Sequence, residues 1–170
     1  MIKKLHHTAY RCRDSEETRK FYEDFLGLRL AGTLEIAETK SGRKTGTLHT
    51  FYELGDGSYI AFFEAPDMPF EFKKQHDFDL HLALEVEPPV LETMMNRGKS
   101  QGIETRGISD HGVVHSIYFR DPNGYVIELA AKTPAHDKAM DPATNGARAT
   151  LDRWQAAKLR SASWDLIVSC

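Results

Sequence analysis

The sequence is poor in cysteine, because Cys12 and Cys170 are the only two and stand near opposite ends of the 170-residue chain. Two cysteines placed so far apart exclude a disulfide framework and also the paired spacing of a zinc ribbon. No apolar run approaches the ~20 residues that span a bilayer, and Met1–Leu5 lacks the apolar core of a signal peptide. We therefore expect a cytoplasmic protein without a membrane anchor.

Long basic runs and alternating basic and aromatic residues are also missing, and the formal net charge is −3. These features argue against nucleic acid or an anionic membrane as the main partner. The chain has 41% hydrophobic and 28% charged residues, which is typical of a globular protein with a real core. A small-molecule substrate and a homodimer are the partners that we expect.

One segment, 111–131, contains an unusual charge. Residues 113–120 are apolar and rich in β-branched side chains, 121–124 form a proline- and glycine-containing turn, and 125–131 return as a second strand. Glu128 is the single charge in that last strand. Because an unpaired buried carboxylate is costly, Glu128 must face water or have a cationic partner.

The order of elements along the chain repeats. Strand alternation and helical spacing predict a first βαβββ module over residues 1–66 and a second over 80–131, joined by a connector over 67–79. Residues 132–170 form a C-terminal extension, with a helix at about 142–160 after an aspartate-proline entry. We expect this helix to pack on the domain or on a neighbouring subunit.

The repeat places two histidines in matching positions. Leu5–Ala9 aligns with Asp79–Ala83, so His7 and His81 lie near the start of the first strand in their modules. We predict an α+β fold in which the two modules form a curled mixed sheet around a shared cleft. Two neutral imidazoles and the Glu128 carboxylate would meet there, a donor set that suits a divalent metal and leaves coordination positions open.

These motifs resemble the vicinal oxygen chelate superfamily, which includes glyoxalase I, methylmalonyl-CoA epimerase, fosfomycin and bleomycin resistance proteins and type I extradiol dioxygenases. The residues that carry the likeness are His7-Thr8-Ala9, Phe21-Tyr22, Leu26-Gly27-Leu28, His81-Leu82-Ala83 and Asp121-Pro122-Asn123-Gly124 with Glu128. The resemblance covers about residues 5 to 131. It implies that His7, His81 and Glu128 are metal ligands.

A narrower likeness to the extradiol dioxygenases lies in the second module. Its pattern is matched by His111, Ile117, Tyr118, Asp121, Pro122, Gly124 and Glu128. The chain differs from that pattern at Ser109, and it lacks the doubled set of modules. The likeness implies that Tyr118 contacts substrate near the metal and that His111 assists as an acid or base. It favours Fe(II), with Mn, Zn, Ni or Co as alternatives.

The identity of a fourth ligand separates two kinds of enzyme. Glyoxalase I-like enzymes place a fourth ligand, often Glu, on the last strand of the first module. Matching Gly57 to Gly124 sets Ala61 against Glu128, and alanine cannot bind a metal. Glu64 stands three residues further, on the opposite face of an ideal strand, although a bulge would turn it inward. Strand alternation therefore favours three ligands, the open set suited to Fe(II) and oxygen.

The sequence thus predicts a metal-dependent dioxygenase that acts on a small catechol-like substrate. One alternative is an isomerase or lyase of glyoxalase or epimerase type, in which Glu64 joins the metal or acts as a base. A second alternative is a protein that sequesters an aromatic drug, as bleomycin resistance proteins do. Of the other histidines, we expect His6 on the opposite face from His7, and His49 and His76 on the surface or in loops.

Overall fold

The computed structural model describes residues 1–71, 76, 78 and 80–167, with side chains described as far as residue 158. The first module contains β1 (His7–Cys12), α1 (Ser15–Arg19, continued by a π-helical segment Lys20–Phe25), β2 (Arg29–Glu38), β3 (Lys44–Glu53) and β4 (Tyr59–Glu64). No helix within the described ranges is long and apolar enough to cross a membrane.

The second module repeats this order. It contains β5 (His81–Glu85), α2 (Pro88–Ser100), β6 (Thr105–Asp110), β7 (Val114–Arg120) and β8 (Val126–Lys132), and is followed by α3 (His136–Met140) and α4 (Ala147–Ile167). The strand orders are β1-β4-β3-β2 and β5-β8-β7-β6, with the first and last strands of each module parallel. The predicted α+β fold of two βαβββ modules is confirmed. The strands form two separate four-stranded sheets, which do not close into one.

Strand register confirms the internal repeat. Ala9 on β1 pairs with Ala61 on β4, and Ala83 on β5 pairs with Glu128 on β8. His7 and His81 each stand two residues before these alanines, so each histidine lies on the same face as its alanine. Ala61 and Glu128 are therefore equivalent positions.

The first helix has a side-chain cap at its start and a glycine just beyond its end. The Asp14 carboxylate accepts a hydrogen bond from the Glu17 amide at 2.8 Å, and Gly27 adopts a φ of +83° just beyond the helix end. Three aromatic side chains at helical spacing are buried between these limits: Phe21, Tyr22 and Phe25. They cover one face of the first sheet.

The same helix connects the two modules. The Tyr22 hydroxyl donates to the Asp121 carboxylate at 3.1 Å, and the rings of Phe25 and Phe119 meet edge to face with centroids 5.1 Å apart. Helix α2 lies very close to the second sheet, because a Cβ atom added to Gly98 would stand 2.7 Å from the Phe119 ring. The helical sides of both sheets therefore share one core, and the other face of each sheet is left for a site.

The C-terminal extension differs from its prediction. The Asp141 carboxylate accepts a hydrogen bond from the Ala143 amide in a turn, and the long helix begins only at Ala147, where Asn145 accepts from its amide. Every residue from 147 to 158 is exposed, including Trp154. Over these residues the helix does not pack on its own chain, and packing on a neighbouring subunit, the other alternative, stays a prediction.

Candidate metal site

Glu128 has the nitrogen partner that its burial requires. Its neighbours on β8, Ile127 and Leu129, lie in the core, so strand alternation turns the Glu128 side chain to the opposite face. Glu128 is only 6% exposed, and its Oε2 lies 3.2 Å from Nε2 of His81. The Ser116 hydroxyl donates a hydrogen bond to the other carboxylate oxygen, Oε1, at 2.5 Å.

The predicted assisting residues lie on the same sheet face. Tyr118 pairs with Glu128 in the register of β7 and β8, and its hydroxyl is 2.8 Å from Nε2 of His111. The guanidinium of Arg106 lies over the Tyr118 ring, 5.2 Å from its centroid. Burial, followed by the negative charge of Glu128, raises the pKa of Tyr118 above its usual value of 10.0. The phenol is therefore protonated at neutral pH and can donate a hydrogen bond.

His7, the third predicted ligand, lies on the other sheet. Its Nδ1 is 2.7 Å from Nδ1 of His6, and its ring is 6.2 Å from the ring of His49 and 5.7 Å from Phe51. His6 precedes β1, so it contacts the His7 ring and is not turned to the opposite face. Within the described residues, no group of three His, Cys, Asp or Glu side chains is placed to hold a metal. One chain therefore brings together two of the three predicted ligands.

Glu64 is engaged elsewhere in the fold. Its Oε2 accepts a hydrogen bond from the Ser15 amide at 2.7 Å, at the start of α1 on the helical side of the sheet. Ala61 lies on the same face as His7, because the register pairs it with Ala9. Strand alternation predicts this outcome for both residues. The first module offers no carboxylate at the position of Glu128.

His49 is a residue that sequence analysis underestimated. The prediction of a surface or loop position is wrong, since His49 lies on β3 and is only 6% exposed. Its Nδ1 is 2.8 Å from the Phe62 carbonyl oxygen. A carbonyl only accepts, so Nδ1 carries the proton and Nε2 is left as an acceptor. The imidazole stacks on Phe63 at 3.7 Å. Its alternation with Phe51 was the signal that could have placed it on this face.

A model of the Glyoxalase/Bleomycin resistance protein/Dioxygenase superfamily matches residues 4–129. Because this match covers most of the chain, the chain belongs to this superfamily.

Solved structures share the fold at low sequence identity. A glyoxylase/bleomycin resistance protein/dioxygenase domain from Frankia sp. EAN1pec is 18% identical over 78% of this chain and 100% of that chain, with a TM-score of 0.62. The genomically encoded fosfomycin resistance protein FosX from Listeria monocytogenes, complexed with Mn(II) and sulfate ion, is 20% identical over 81% of this chain and 99% of that chain. Its TM-score is 0.60. TnmS3, an antibiotic binding protein from Streptomyces sp. CB03234, is 19% identical over 78% of this chain and 98% of that chain, with a TM-score of 0.56.

Proposed function

We propose that this protein is a metal-dependent dioxygenase in which His7, His81 and Glu128 bind Fe(II) and the substrate is a small catechol-like molecule with two vicinal oxygens. The observation that carries the proposal is the pairing of the buried Glu128 carboxylate with His81 on a sheet face outside the core. A buried carboxylate beside an imidazole is a donor pair suited to a divalent metal, which would also offset the cost of burying the carboxylate.

We further propose that His7 comes from a second copy of the chain in a homodimer. The two sheets have equivalent strands, and the first presents one member of the donor set, His7, while the second presents the other two, His81 and Glu128. If the first sheet of one copy faces the second sheet of the other, His7 is brought to His81 and Glu128. The pairing would occur twice in a symmetric dimer, because the contact is reciprocal.

Residues beside the proposed ligands, on both sheets, have distinct proton roles. Bound Fe(II) would supply a Lewis acid and a template for two substrate oxygens and O₂. The protonated Tyr118 hydroxyl, in contact with His111, donates a hydrogen bond to a substrate oxygen. His49 has its Nδ1 proton fixed by the Phe62 carbonyl, so its Nε2 accepts the proton of a substrate hydroxyl.

Complementation between two inactive variants tests the shared site. H7A and E128A are each expected to lose metal, but a mixed dimer contains one intact set, with His7 from the E128A chain and the other two ligands from the H7A chain. Mixing the unfolded variants and refolding them together should restore metal binding in the mixed dimers. If the mixture binds no more metal than either variant alone, the shared site is rejected.

Oxygen uptake by the Fe(II)-loaded protein with a panel of catechols tests the reaction. Consumption of oxygen together with ring opening is expected. Two other outcomes would replace the proposal. Metal binding with turnover but without oxygen uptake would favour an isomerase or lyase. Failure of the wild-type protein to bind any metal would favour a protein that sequesters an aromatic ligand, for which the aromatic side chains of the first sheet, His49, Phe51 and Phe63, are suited.

A further inference from the structure

The outer face of the first sheet carries an arginine whose charge is not balanced by a carboxylate. Arg11 shares this face with His7 and pairs in register with Phe63. Its Nη2 donates to the carbonyl oxygens of Met68 at 2.6 Å and Ala65 at 3.3 Å. Its Nε is buried without an acceptor, and no carboxylate among the described residues pairs with it. Its Nη1 makes no hydrogen bond to the described part of the chain.

A cavity of about 240 Å³ adjoins this guanidinium. Its lining includes Arg11, Arg43, Thr45, Thr47 and Phe63. Arg43 is already neutralised, because its Nη1 pairs with the Asp67 carboxylate at 2.6 Å. The guanidinium of Arg11 also lies over the Phe70 ring, 5.8 Å from its centroid. None of these partners carries a negative charge, so an anion held in the cavity would balance the charge of this half-buried cation. Arg11 is therefore the side chain that the cavity offers to a negatively charged ligand.

The ring of Phe63 makes the cavity suitable for an aromatic ligand. Phe63 lines the cavity, whereas His49 does not, and the imidazole of His49 stacks on the Phe63 ring at 3.7 Å with an interplanar angle of 12°. The Phe63 ring gives the cavity a flat wall, which favours planar ligands, since aromatic rings gain from offset stacking and edge contacts. We propose that this cavity binds an aromatic carboxylic acid, with the carboxylate on Arg11 and the ring against Phe63.

As a substrate subsite, this inference rests on the proposed function, whereas binding of the anion itself does not need the metal. Four residues of strand separate His7 from Arg11, a Cα distance of about 13 Å. The substrate would therefore carry its carboxylate on the side of the ring away from the two vicinal oxygens. A bare catechol would occupy only the metal end.

Fluorescence titration of the metal-free full chain with 2-naphthoate and with 2-naphthamide tests the inference. The two probes have nearly the same shape and differ in charge. We expect saturable binding of naphthoate. Naphthamide should bind at least about tenfold more weakly, as for a lost charge-assisted hydrogen bond. Equal affinities for the two probes would overturn the proposal, without any variant being needed.

Variants then assign the charge. R11Q should abolish the preference for naphthoate, R11K should retain most of it, and the matched control R43Q, which removes a neutralised arginine of the same cavity, should retain it. An unchanged preference in R11Q, or its loss in R43Q alone, would contradict the assignment to Arg11. Thermal melting shows whether R11Q folds. If it does not, the two probes on the wild-type chain still decide whether the cavity prefers an anion, and loss of that preference in R11K would still contradict the assignment to Arg11.

The metal variant E128A separates this inference from the proposed function. It is expected to bind naphthoate as the wild type does, because Glu128 does not border the cavity. A chain that prefers naphthoate but binds no metal would support the anion subsite while rejecting the metal enzyme. A chain that binds metal through His81 and Glu128 but does not distinguish the probes would reject only the subsite.

Discussion

The two modules have the same topology and register but present different chemistry on their outer faces. At equivalent positions, Ala61 on β4 stands where Glu128 stands on β8, and their partners on the neighbouring strands are Phe51 and Tyr118. The second sheet therefore presents a carboxylate and a phenol, and the first presents an aromatic wall. If the proposed function is right, the second sheet supplies two of the three metal ligands, and the first sheet supplies His7 together with a wall for a flat ligand.

The turns before the last strands differ in a similar way. In the first module, Asp56 is exposed and accepts a hydrogen bond from the Ser58 hydroxyl at 2.6 Å. In the second, Asp121 is 4% exposed and accepts from the Tyr125 amide at 2.8 Å and from the Tyr22 hydroxyl of the other module. The Asp121 carboxylate thus connects the modules, whereas the Asp56 carboxylate accepts hydrogen bonds from Ser58 within its own turn.

The largest expected effect is the loss of metal on removing the Glu128 carboxylate, whose equivalent position in the first sheet is Ala61. E128Q should weaken metal binding by at least about 100-fold, because an anionic ligand becomes a neutral amide. Metal analysis after dialysis measures this directly. The matched control is E85Q, which removes an exposed carboxylate of β5 that pairs with Lys132. Equal metal content in the wild type and E128Q would remove the distinction between the two faces.

The second prediction compares the equivalent partners Tyr118 and Phe51. Y118F removes the hydroxyl that contacts His111 and should lower kcat about 100-fold, the usual contribution of a positioned proton donor, while metal content is unchanged. F51L alters the aromatic wall and should raise KM more than it lowers kcat. Steady-state oxygen uptake measures both. The predicted difference between Tyr118 and Phe51 is wrong if Y118F and F51L change kcat and KM in the same proportion.

The third prediction concerns the two turns. D121N should lower the free energy of unfolding by about 2 kcal/mol, because buried donors lose their acceptor. D56N, at the exposed turn, should have a clearly smaller effect. Urea denaturation measures both variants. Equal losses would show that the second turn does not connect the modules through Asp121.

The effect of D121N should also depend on pH. Burial raises the pKa of Asp121 above its usual value of 3.8, although its hydrogen bonds oppose the rise. A carboxyl whose pKa is raised in the folded state stabilises most below the unfolded pKa, and this contribution falls as pH rises through the folded pKa. The stability advantage of the wild type over D121N should therefore shrink as pH rises from about 3.8 and then level off. An advantage that grows with pH would contradict the raised pKa.

Period-two alternation was sufficient to predict which of the candidate strand residues share a face. It places His81 and Glu128 on one face, separates Ala61 from Glu64, and aligns the two modules at His7 and His81. Such patterns depend only on backbone geometry, which the order of residues determines locally. The confirmed α+β fold follows from the same information.

Packing between elements was not predictable in this way. The sequence repeat does not say whether the modules meet through strand edges or through helices. In the structure, Phe25 at the end of the first helix packs on Phe119, and Tyr125 of the second module packs on Tyr10 and Phe62 of the first. His7 is consequently on a different sheet from His81. The burial of His49 depends on the Phe62 carbonyl and the Phe63 ring, which are contacts between neighbouring strands. At Asp141, a local turn competes with the helix start, so the last helix begins later than its cap signal predicts.

The smallest expected effect tests the fourth ligand. Glu64 accepts from the Ser15 amide at the start of α1, so E64Q should lower the free energy of unfolding by about 1 kcal/mol through a weaker cap. Metal content should not change, because this carboxylate lies on the helical side of the sheet, away from His7. Chemical denaturation and metal analysis of one preparation give both values. Loss of metal in E64Q would instead make Glu64 a ligand, and the glyoxalase-type isomerase would then be the better description of the enzyme.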